Sequence, residues 1–179
     1  MRIETERLIL EELDWEDLED FHYFSSIPEI REYSTLLIPK DIIESEKRLH
    51  SIIDSQSNNP RRSYNWKVLL KDNIKFLGLC GIKLSLDRFK LGEIHYEVHP
   101  DFWGNGYATE IAEKLIEIGF EIFKLHKVEA GVATDNVSSI RVLEKTGMTR
   151  EGIRRKILPI RGEWKDNYHY AIVEDDPRK

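Results

Sequence analysis

A glycine-bearing turn between a predicted strand and a predicted helix carries the clearest chemical signature in the chain. It reads His99-Pro100-Asp101-Phe102-Trp103-Gly104-Asn105-Gly106-Tyr107-Ala108-Thr109-Glu110. Gly104 and Gly106 let backbone N–H groups approach a ligand closely, and the start of the helix adds about half a positive charge. The pattern predicts an anion site, for which a pyrophosphate is the natural occupant. A plain turn with a helix cap is the alternative that the glycines alone leave open.

The strand before this turn carries polar side chains in alternation. Period-two geometry places Glu93, His95, Glu97 and His99 on one face and Ile94, Tyr96 and Val98 on the other. Carboxylates on such a face can serve as general bases, and the histidines make it metal-capable. Same-face neighbours are about 7 Å apart at Cα, so one ion would require a distorted strand. We therefore predict no metal site; a solvated polar face is the ordinary alternative for the histidines.

A second polar cluster, Asp135-Asn136-Val137-Ser138-Ser139, opens the next predicted helix. Asn and Ser are ordinary helix-capping residues, so this cluster by itself indicates only a helix start.

These segments need a scaffold of alternating strands and helices. Apolar periodicity and turn residues predict the order β-α-α-β-β-β-α-β-α-β-β, with one strand-helix-strand crossover around the glycine turn. This order defines an α+β fold. Helices are predicted over 15–23, 41–54, 109–123 and 137–146, and strands over 7–11, 66–70, 76–82, 91–99, 128–133, 149–157 and 164–174.

Composition limits the class of protein. The 179 residues are 40% apolar and 34% charged, as expected for one globular domain over 1–179. The formal net charge of −6 favours cationic partners and argues against nucleic acid. No apolar run approaches the roughly 18 residues of a membrane span. Cys80 is the single cysteine, so no internal disulfide can form. We expect a cytoplasmic protein that binds no membrane.

The two helix-opening clusters together resemble the GCN5-related N-acetyltransferase (GNAT) superfamily. The resemblance lies in Trp-Gly-Asn-Gly-Tyr-Ala-Thr-Glu at 103–110 and in Asn136-x-x-Ser139-x-x-x-Leu143-Glu144-Lys145-x-Gly147-Met148. The opening Thr5-Glu6-Arg7-Leu8-Ile9-Leu10 and the closing Gly162-Glu163-Trp164-Lys165-Asp166-x-Tyr168 are similar to the RimJ/RimL-type ribosomal-protein N-acetyltransferases. The resemblance spans nearly the whole chain. It implies a mixed, mostly antiparallel sheet of about six to seven strands flanked by helices.

This resemblance implies acetyl-CoA as the acetyl donor and a primary amine, on a small molecule or a protein N-terminus, as the acceptor. Asn136 and Ser139 would contact the pantetheine arm or the sulfur. Leu143 stands where many relatives carry the tyrosine that protonates the departing thiolate. The residues implied to hold the CoA pyrophosphate are Trp103, Gly104, Asn105, Gly106, Tyr107, Ala108 and Thr109.

The acceptor ammonium must lose a proton before its nitrogen attacks the thioester. Glu93 matches the general-base glutamate of histone-acetylating relatives and ranks first, and Glu97, acting through a water, ranks second. The backbone N–H near Val98 would stabilise the oxyanion, and Ser139 or a tyrosine such as Tyr168 would donate to the leaving sulfur.

Three alternatives remain open at this stage. Gly104-x-Gly106 with Glu129 in the next strand could be a dinucleotide fingerprint, although Thr109 holds its third glycine position. A non-catalytic acyl-CoA sensor or protein-interaction module would keep the turn and lose the base. Cys80 could be a nucleophile, but its apolar surroundings favour buried packing. The segment 24–62 is expected to select the acceptor, and a homodimer is possible.

Overall fold

The computed structural model describes residues 1–177 as one eight-stranded sheet with four α-helices. The strands are β1 (Arg2–Glu4), β2 (Leu8–Glu12), β3 (Ser63–Leu70), β4 (Phe76–Leu84), β5 (Leu91–Val98), β6 (Lys127–Ala133), β7 (Thr149–Ile160) and β8 (Glu163–Val173). The helices are α1 (Leu18–Ser25), α2 (Ile42–Ser55), α3 (Tyr107–Glu121) and α4 (Val137–Lys145).

The sheet is antiparallel except at its centre. Its order is β1-β2-β3-β4-β5-β6-β8-β7, and only β5 and β6 pair in parallel within the described chain. Parallel neighbours require a crossover, which α3 supplies between them. The glycine turn therefore lies at the end of β5, beside the one parallel junction.

The two faces of the sheet are covered by different helices. On one face, Ile94 and Val98 of β5 belong to the same apolar core as Ile111 and Leu115 of α3, and all four are buried. The opposite face packs against α1 and α2 through a smaller cluster of Leu13, Phe21 and Leu49. Alternation along β5 thus sends its apolar residues toward α3 and its polar residues toward the α1–α2 side.

A buried ion pair fixes α1 to the sheet. Nζ of Lys67 on β3 lies 2.7 and 2.9 Å from the two carboxylate oxygens of Asp17, and both residues are less than 9% exposed. Asp17 also closes a capping box with Asp14, as its carboxylate accepts the Asp14 N–H. Asp14 caps a 3₁₀ turn over Trp15–Asp17, so the helix predicted over 15–23 begins as this turn and continues as α1.

The α+β class and the central crossover are confirmed, and the sheet has one strand more than the six to seven expected. The additional strand is β1, whose three residues are too few to show a period-two pattern. Helix α3 begins two residues earlier than predicted because Gly106 is its N-cap. Gly147 follows the C-cap of α4 with a positive φ of +86°, a conformation that favours glycine at a helix end. Within residues 1–177, no helix combines the length and apolar character needed to cross a bilayer.

Candidate active site

The centre of the candidate site is a gap between β5 and β6. These strands pair at three positions only, Leu91 with Lys127, Gly92 with Val128 and Glu93 with Glu129. β5 continues to Val98 and β6 to Ala133, so their later residues diverge without pairing. We call this opening the β5–β6 gap. Sequence periodicity did not reveal it, because each strand keeps a regular pattern.

Backbone donors of β5 face the β5–β6 gap. The His99 N–H donates to the Leu77 carbonyl at 2.8 Å, which identifies that pair as a hydrogen-bonded one in the β4–β5 ladder. Bonded and non-bonded pairs alternate in antiparallel ladders, so Tyr96 and Val98 direct their N–H and C=O groups away from β4. The Val98 carbonyl accepts the Trp103 indole N–H at 2.6 Å. The N–H groups of Tyr96 and Val98 are therefore available in the gap.

The glycine turn closes the same end of the gap. Gly104 and Gly106 have φ of +79° and +80°, a region that favours glycine. Among residues 1–177 no acceptor is recorded for the backbone N–H groups from Gly104 to Thr109, and no side chain caps the start of α3. The Asn105 side chain donates to the Phe102 and Trp103 carbonyls and holds the turn in shape. The arrangement leaves a row of free donors at a helix N-terminus.

The N-terminal segment braces this turn, which the sequence analysis did not foresee. The Arg7 guanidinium donates to the Asn105 carbonyl at 3.0 Å and to the Glu110 carboxylate at 2.7 Å. It also lies 4.4 Å from the Tyr107 ring centroid. Thr5 donates to the same Glu110 carboxylate. The Thr5-Glu6-Arg7 motif was a signal that could have suggested this role.

Helix α4 begins at the other side of the gap. The Asn136 side chain accepts the Ser139 N–H at 3.1 Å and so caps the helix. The Ser139 hydroxyl lies 3.0 Å from the Tyr96 hydroxyl of β5. Leu143, at the position where many relatives carry a tyrosine, is buried at 1% exposure. Ser139 is thus held against β5, whereas Leu143 offers no polar group.

The two candidate bases lie on the α1–α2 face of β5 in different surroundings. Glu93 is exposed, and within the described residues no ion pair or hydrogen bond is recorded for its carboxylate. The half-buried Glu97 carboxylate accepts from the Arg31 guanidinium at 2.9 Å. Desolvation raises the pKa of Glu97, and Arg31 opposes that rise. Arg31 is itself only 5% exposed and comes from the segment between α1 and α2.

The histidines near these carboxylates do not gather into a metal site. The His95 ring lies over Gly81, where an added Cβ would be 2.4 Å from its Cε1. His95 is exposed at the surface, but the protein atoms around its ring desolvate it and lower its pKa to about 4. His99 accepts the Asp101 N–H and stacks on Tyr23. Among residues 1–177, no group of three His, Cys, Asp or Glu side chains is arranged to hold a metal ion.

The remaining sequence candidates have structural partners. Glu129 pairs with His169 at 2.9 Å, which gives its carboxylate a partner outside any ribose site. Cys80 is buried at 1% exposure, and burial raises the pKa of its thiol, so the buried-packing prediction is confirmed. The Tyr168 ring lies under the Arg150 guanidinium at 4.5 Å, and no hydrogen bond of its hydroxyl is recorded within residues 1–177.

A row of free backbone donors at a helix N-terminus thus lies beside a gap in the mixed sheet of an α+β fold, which is an arrangement suited to an anionic ligand. The acetyltransferase (GNAT) domain model matches residues 7–149. The chain belongs to the GNAT family, as the sequence motifs predicted. It is 29% identical over 180 residues to YnaD, an uncharacterized N-acetyltransferase of Bacillus subtilis, and the match covers 98% of this chain and 99% of YnaD.

Solved structures share the fold over nearly the whole chain. A GNAT-family acetyltransferase of Bacillus anthracis has a TM-score of 0.84 at 29% identity, covering 98% of this chain and all of that one. RimJ of Mycobacterium smegmatis, in complex with CoA-disulfide, has a TM-score of 0.85 at 19% identity, and the match covers 94% of this chain and 82% of RimJ. Spermidine N-acetyltransferase of Vibrio cholerae, in complex with CoA and spermine, has a TM-score of 0.82 at 20% identity, and the match covers 95% of this chain and 97% of that enzyme. The last two likenesses show the fold alone.

Proposed function

We propose that this chain is an N-acetyltransferase that moves an acetyl group from acetyl-CoA to a primary amine by direct attack in a ternary complex. The observation that carries this proposal is the β5–β6 gap, with the N–H groups of Tyr96 and Val98 along it and the glycine turn at its end. The acceptor is an amine on a small molecule or at a protein N-terminus.

The residues around the gap fit CoA. Free N–H groups from Gly104 to Thr109 match a pyrophosphate, since they combine close backbone approach with the positive end of a helix. Trp103 contributes by fixing the turn to the Val98 carbonyl, and Asn105, Tyr107 and Ala108 contribute backbone donors. The negatively charged chain thus needs no net positive charge to hold an anionic donor.

The pantetheine arm suits the polar groups that flank the gap. The N–H groups of Tyr96 and Val98 lie on one side, and the Asn136 amide and Ser139 hydroxyl lie at the start of α4. When bound, acetyl-CoA supplies an activated acetyl thioester. The Val98 N–H is placed to stabilise the negative charge that develops on the acetyl oxygen.

The α1–α2 face supplies the base that removes a proton from the acceptor ammonium, whose pKa is about 8 at a protein N-terminus and about 10 on an alkyl amine. Glu93 has no competing partner among the described residues, but it lies five residues before Val98, roughly 16 Å along the strand. Glu97 is adjacent to Val98 and has a raised pKa, but its carboxylate already accepts a hydrogen bond from the Arg31 guanidinium. Glu93 remains the first candidate and needs bridging waters; Glu97 is the second.

The decisive experiment measures thiol release from acetyl-CoA with a panel of amines. The panel contains a peptide with a free N-terminus, the same peptide with that terminus blocked and a lysine added, and a polyamine. The polyamine is included because the spermidine N-acetyltransferase of V. cholerae shares this fold. Saturable, amine-dependent release with acetylated product by mass spectrometry supports the proposal.

A non-catalytic acyl-CoA sensor is the second candidate, and it predicts a different outcome. Acetyl-CoA would bind in calorimetry, yet no amine, including those in a cell extract with labelled acetyl-CoA, would be acetylated. Ultracentrifugation of the same samples with and without acetyl-CoA tests the possible homodimer.

A further inference from the structure

The Tyr96 hydroxyl forms a polar link across the β5–β6 gap. It lies 3.0 Å from the Ser139 hydroxyl and 3.5 Å from the Ser139 carbonyl, joining β5 to the first turn of α4. Tyr96 also packs against the main core, and the Ser139 N–H is held by Asn136. Both ends of the link are therefore fixed by contacts that do not involve each other.

Either hydroxyl can donate in this hydrogen bond, and the 3.5 Å contact from the phenol to the Ser139 carbonyl favours the phenol as donor. Burial raises the pKa of Tyr96 to about 12, so its hydroxyl stays protonated at physiological pH. A protonated phenol that donates to the Ser139 oxygen leaves the serine hydrogen free to point elsewhere. The pair can then present one outward O–H toward the gap.

We propose that Tyr96 is a positioning residue that orients the Ser139 hydroxyl so that it donates to the departing CoA sulfur. This inference rests on the proposed function. The base first takes the ammonium proton and passes it to solvent. As the new N–C bond then forms, the C–S bond breaks and its electron pair remains on sulfur, while the base takes the second proton from the attacking nitrogen. Ser139 and Tyr96 keep their protons and stabilise the thiolate by hydrogen bonding.

The other hydroxyls near α4 fit this role less well. The Tyr168 hydroxyl has no hydrogen-bond partner among residues 1–177, and the Tyr168 ring lies under the Arg150 guanidinium. The Tyr170 hydroxyl donates to Glu144 at 3.2 Å, away from Ser139. Tyr170 is thus a matched control, because Tyr170→Phe also removes one phenol that bonds to α4.

The first test titrates the thiol of bound CoA by its thiolate absorbance, with the desulfo-CoA complex as the blank. Cys80 does not interfere, because burial raises the pKa of its thiol. We expect Tyr96→Phe to raise the pH midpoint of bound CoA by about 1 pH unit, the effect of losing a hydrogen bond to a charged group. Ser139→Ala should raise it at least as much, and Tyr170→Phe should leave it unchanged.

The double variant decides whether Tyr96 acts through Ser139. Tyr96→Phe combined with Ser139→Ala should match Ser139→Ala alone, because the serine hydroxyl is then absent. Additive shifts, or a wild-type midpoint in Tyr96→Phe, would overturn the proposal. A wild-type midpoint in Ser139→Ala would also overturn it. That variant keeps Tyr96, so this measurement can still be made if Tyr96→Phe fails to fold. A wild-type chain that binds no CoA would overturn both proposals.

Turnover separates this inference from the proposed function. With an accepted amine, Tyr96→Phe should lower kcat about tenfold and leave the KM for acetyl-CoA unchanged, because the hydrogen bond strengthens as charge develops on sulfur. An equal rise in KM without a fall in kcat would indicate a structural role and contradict the inference. If wild-type protein binds CoA but acetylates no amine, the proposed function fails, while the thiol titration still decides the Tyr96 effect.

Discussion

The two sides of the candidate site are built from different kinds of groups. The donor side, meaning the β5–β6 gap and the glycine turn, presents backbone N–H groups from a short stretch of sequence. The acceptor side, meaning the α1–α2 face of β5, presents side chains whose partners come from distant segments. Glu97 of β5, for example, pairs with Arg31, which is 66 residues away in the chain.

This difference explains how each side can vary. Backbone donors at a helix N-terminus keep their positions as long as the glycines and the helix remain, so they suit a ligand that does not change. Side-chain pairs between distant segments can be exchanged one residue at a time, so they suit selection among different amines. We therefore expect substitutions on the donor side to affect acetyl-CoA with every acceptor, and those on the acceptor side to affect chemistry or acceptor choice.

The largest expected effect is on the donor side. Gly106 has a φ of +80°, so Gly106→Val forces a β-branched residue into a strained conformation and displaces the free N–H groups. Acetyl-CoA affinity should fall roughly 100-fold, since two hydrogen bonds to a charged group are lost. Isothermal calorimetry measures this loss.

The matched control is Gly152→Val. Gly152 lies in β7 at negative φ with no atom within 4 Å of an added Cβ. The affinity of the Gly152→Val variant for acetyl-CoA should equal that of the wild type. If Gly106→Val keeps both the wild-type melting temperature and the wild-type affinity, the glycine turn does not hold the donor.

The next largest effect is on the acceptor side. Glu93→Gln should lower kcat by roughly 100-fold at neutral pH, and less at high pH, where the amine loses its own proton. Acetyl-CoA affinity should not change, because the carboxylate lies on the opposite face from α3. A pH–rate profile for Glu93→Gln beside Glu97→Gln measures which carboxylate acts. A profile unchanged in Glu93→Gln but altered in Glu97→Gln would transfer the role to Glu97.

The sequence predicted the glycine turn of the donor side and the carboxylates of the acceptor side, but neither the β5–β6 gap nor the partners of those carboxylates. Gly104, Gly106, Asn136 and their helices are local signals, which is why the family and the crossover followed from them. The β5–β6 gap was missed because divergence of two strands depends on tertiary packing and leaves no mark on the alternation of either strand. Contacts such as Arg31 with Glu97 join segments that periodicity cannot relate, so the acceptor side needed coordinates.

Arg31→Met should have an intermediate effect. It tests whether the charge beside Glu97, or the position of the segment between α1 and α2, controls the rate. Arg31 donates to the Ser25 carbonyl, the Ser34 hydroxyl and Glu97. Its loss should cost about 2 kcal/mol of stability, less than a fully buried pair because Glu97 is partly exposed. Removing the cation raises the pKa of Glu97 further, so the acid limb of kcat/KM should move to higher pH if Glu97 is the base and stay in place if Glu93 is.

Arg48→Met provides the control for Arg31. Arg48 also anchors the segment between α1 and α2, donating to the Leu37 carbonyl at 2.8 Å, but it pairs with Glu44 and not with β5. The pH–rate profile of Arg48→Met should keep the wild-type acid limb. If Arg48→Met and Arg31→Met shift the limb equally, the loop position and not the charge beside Glu97 controls the rate.

The smallest effect tests how far water is excluded from the acceptor side. Desolvation lowers the pKa of His95 to about 4 from an unfolded value of about 6.5, so the folded chain disfavours its charged form. The stability that neutral His95 permits is present above pH 6.5 and is lost as pH falls toward 4. In His95→Gln, chemical unfolding at pH 7, 5.5 and 4.5 should show a shallower decline than in wild type. Equal slopes for wild type and His95→Gln would mean that water solvates the floor over Gly81, and an acceptor amine would then meet a hydrated face opposite a gap of unsatisfied backbone donors.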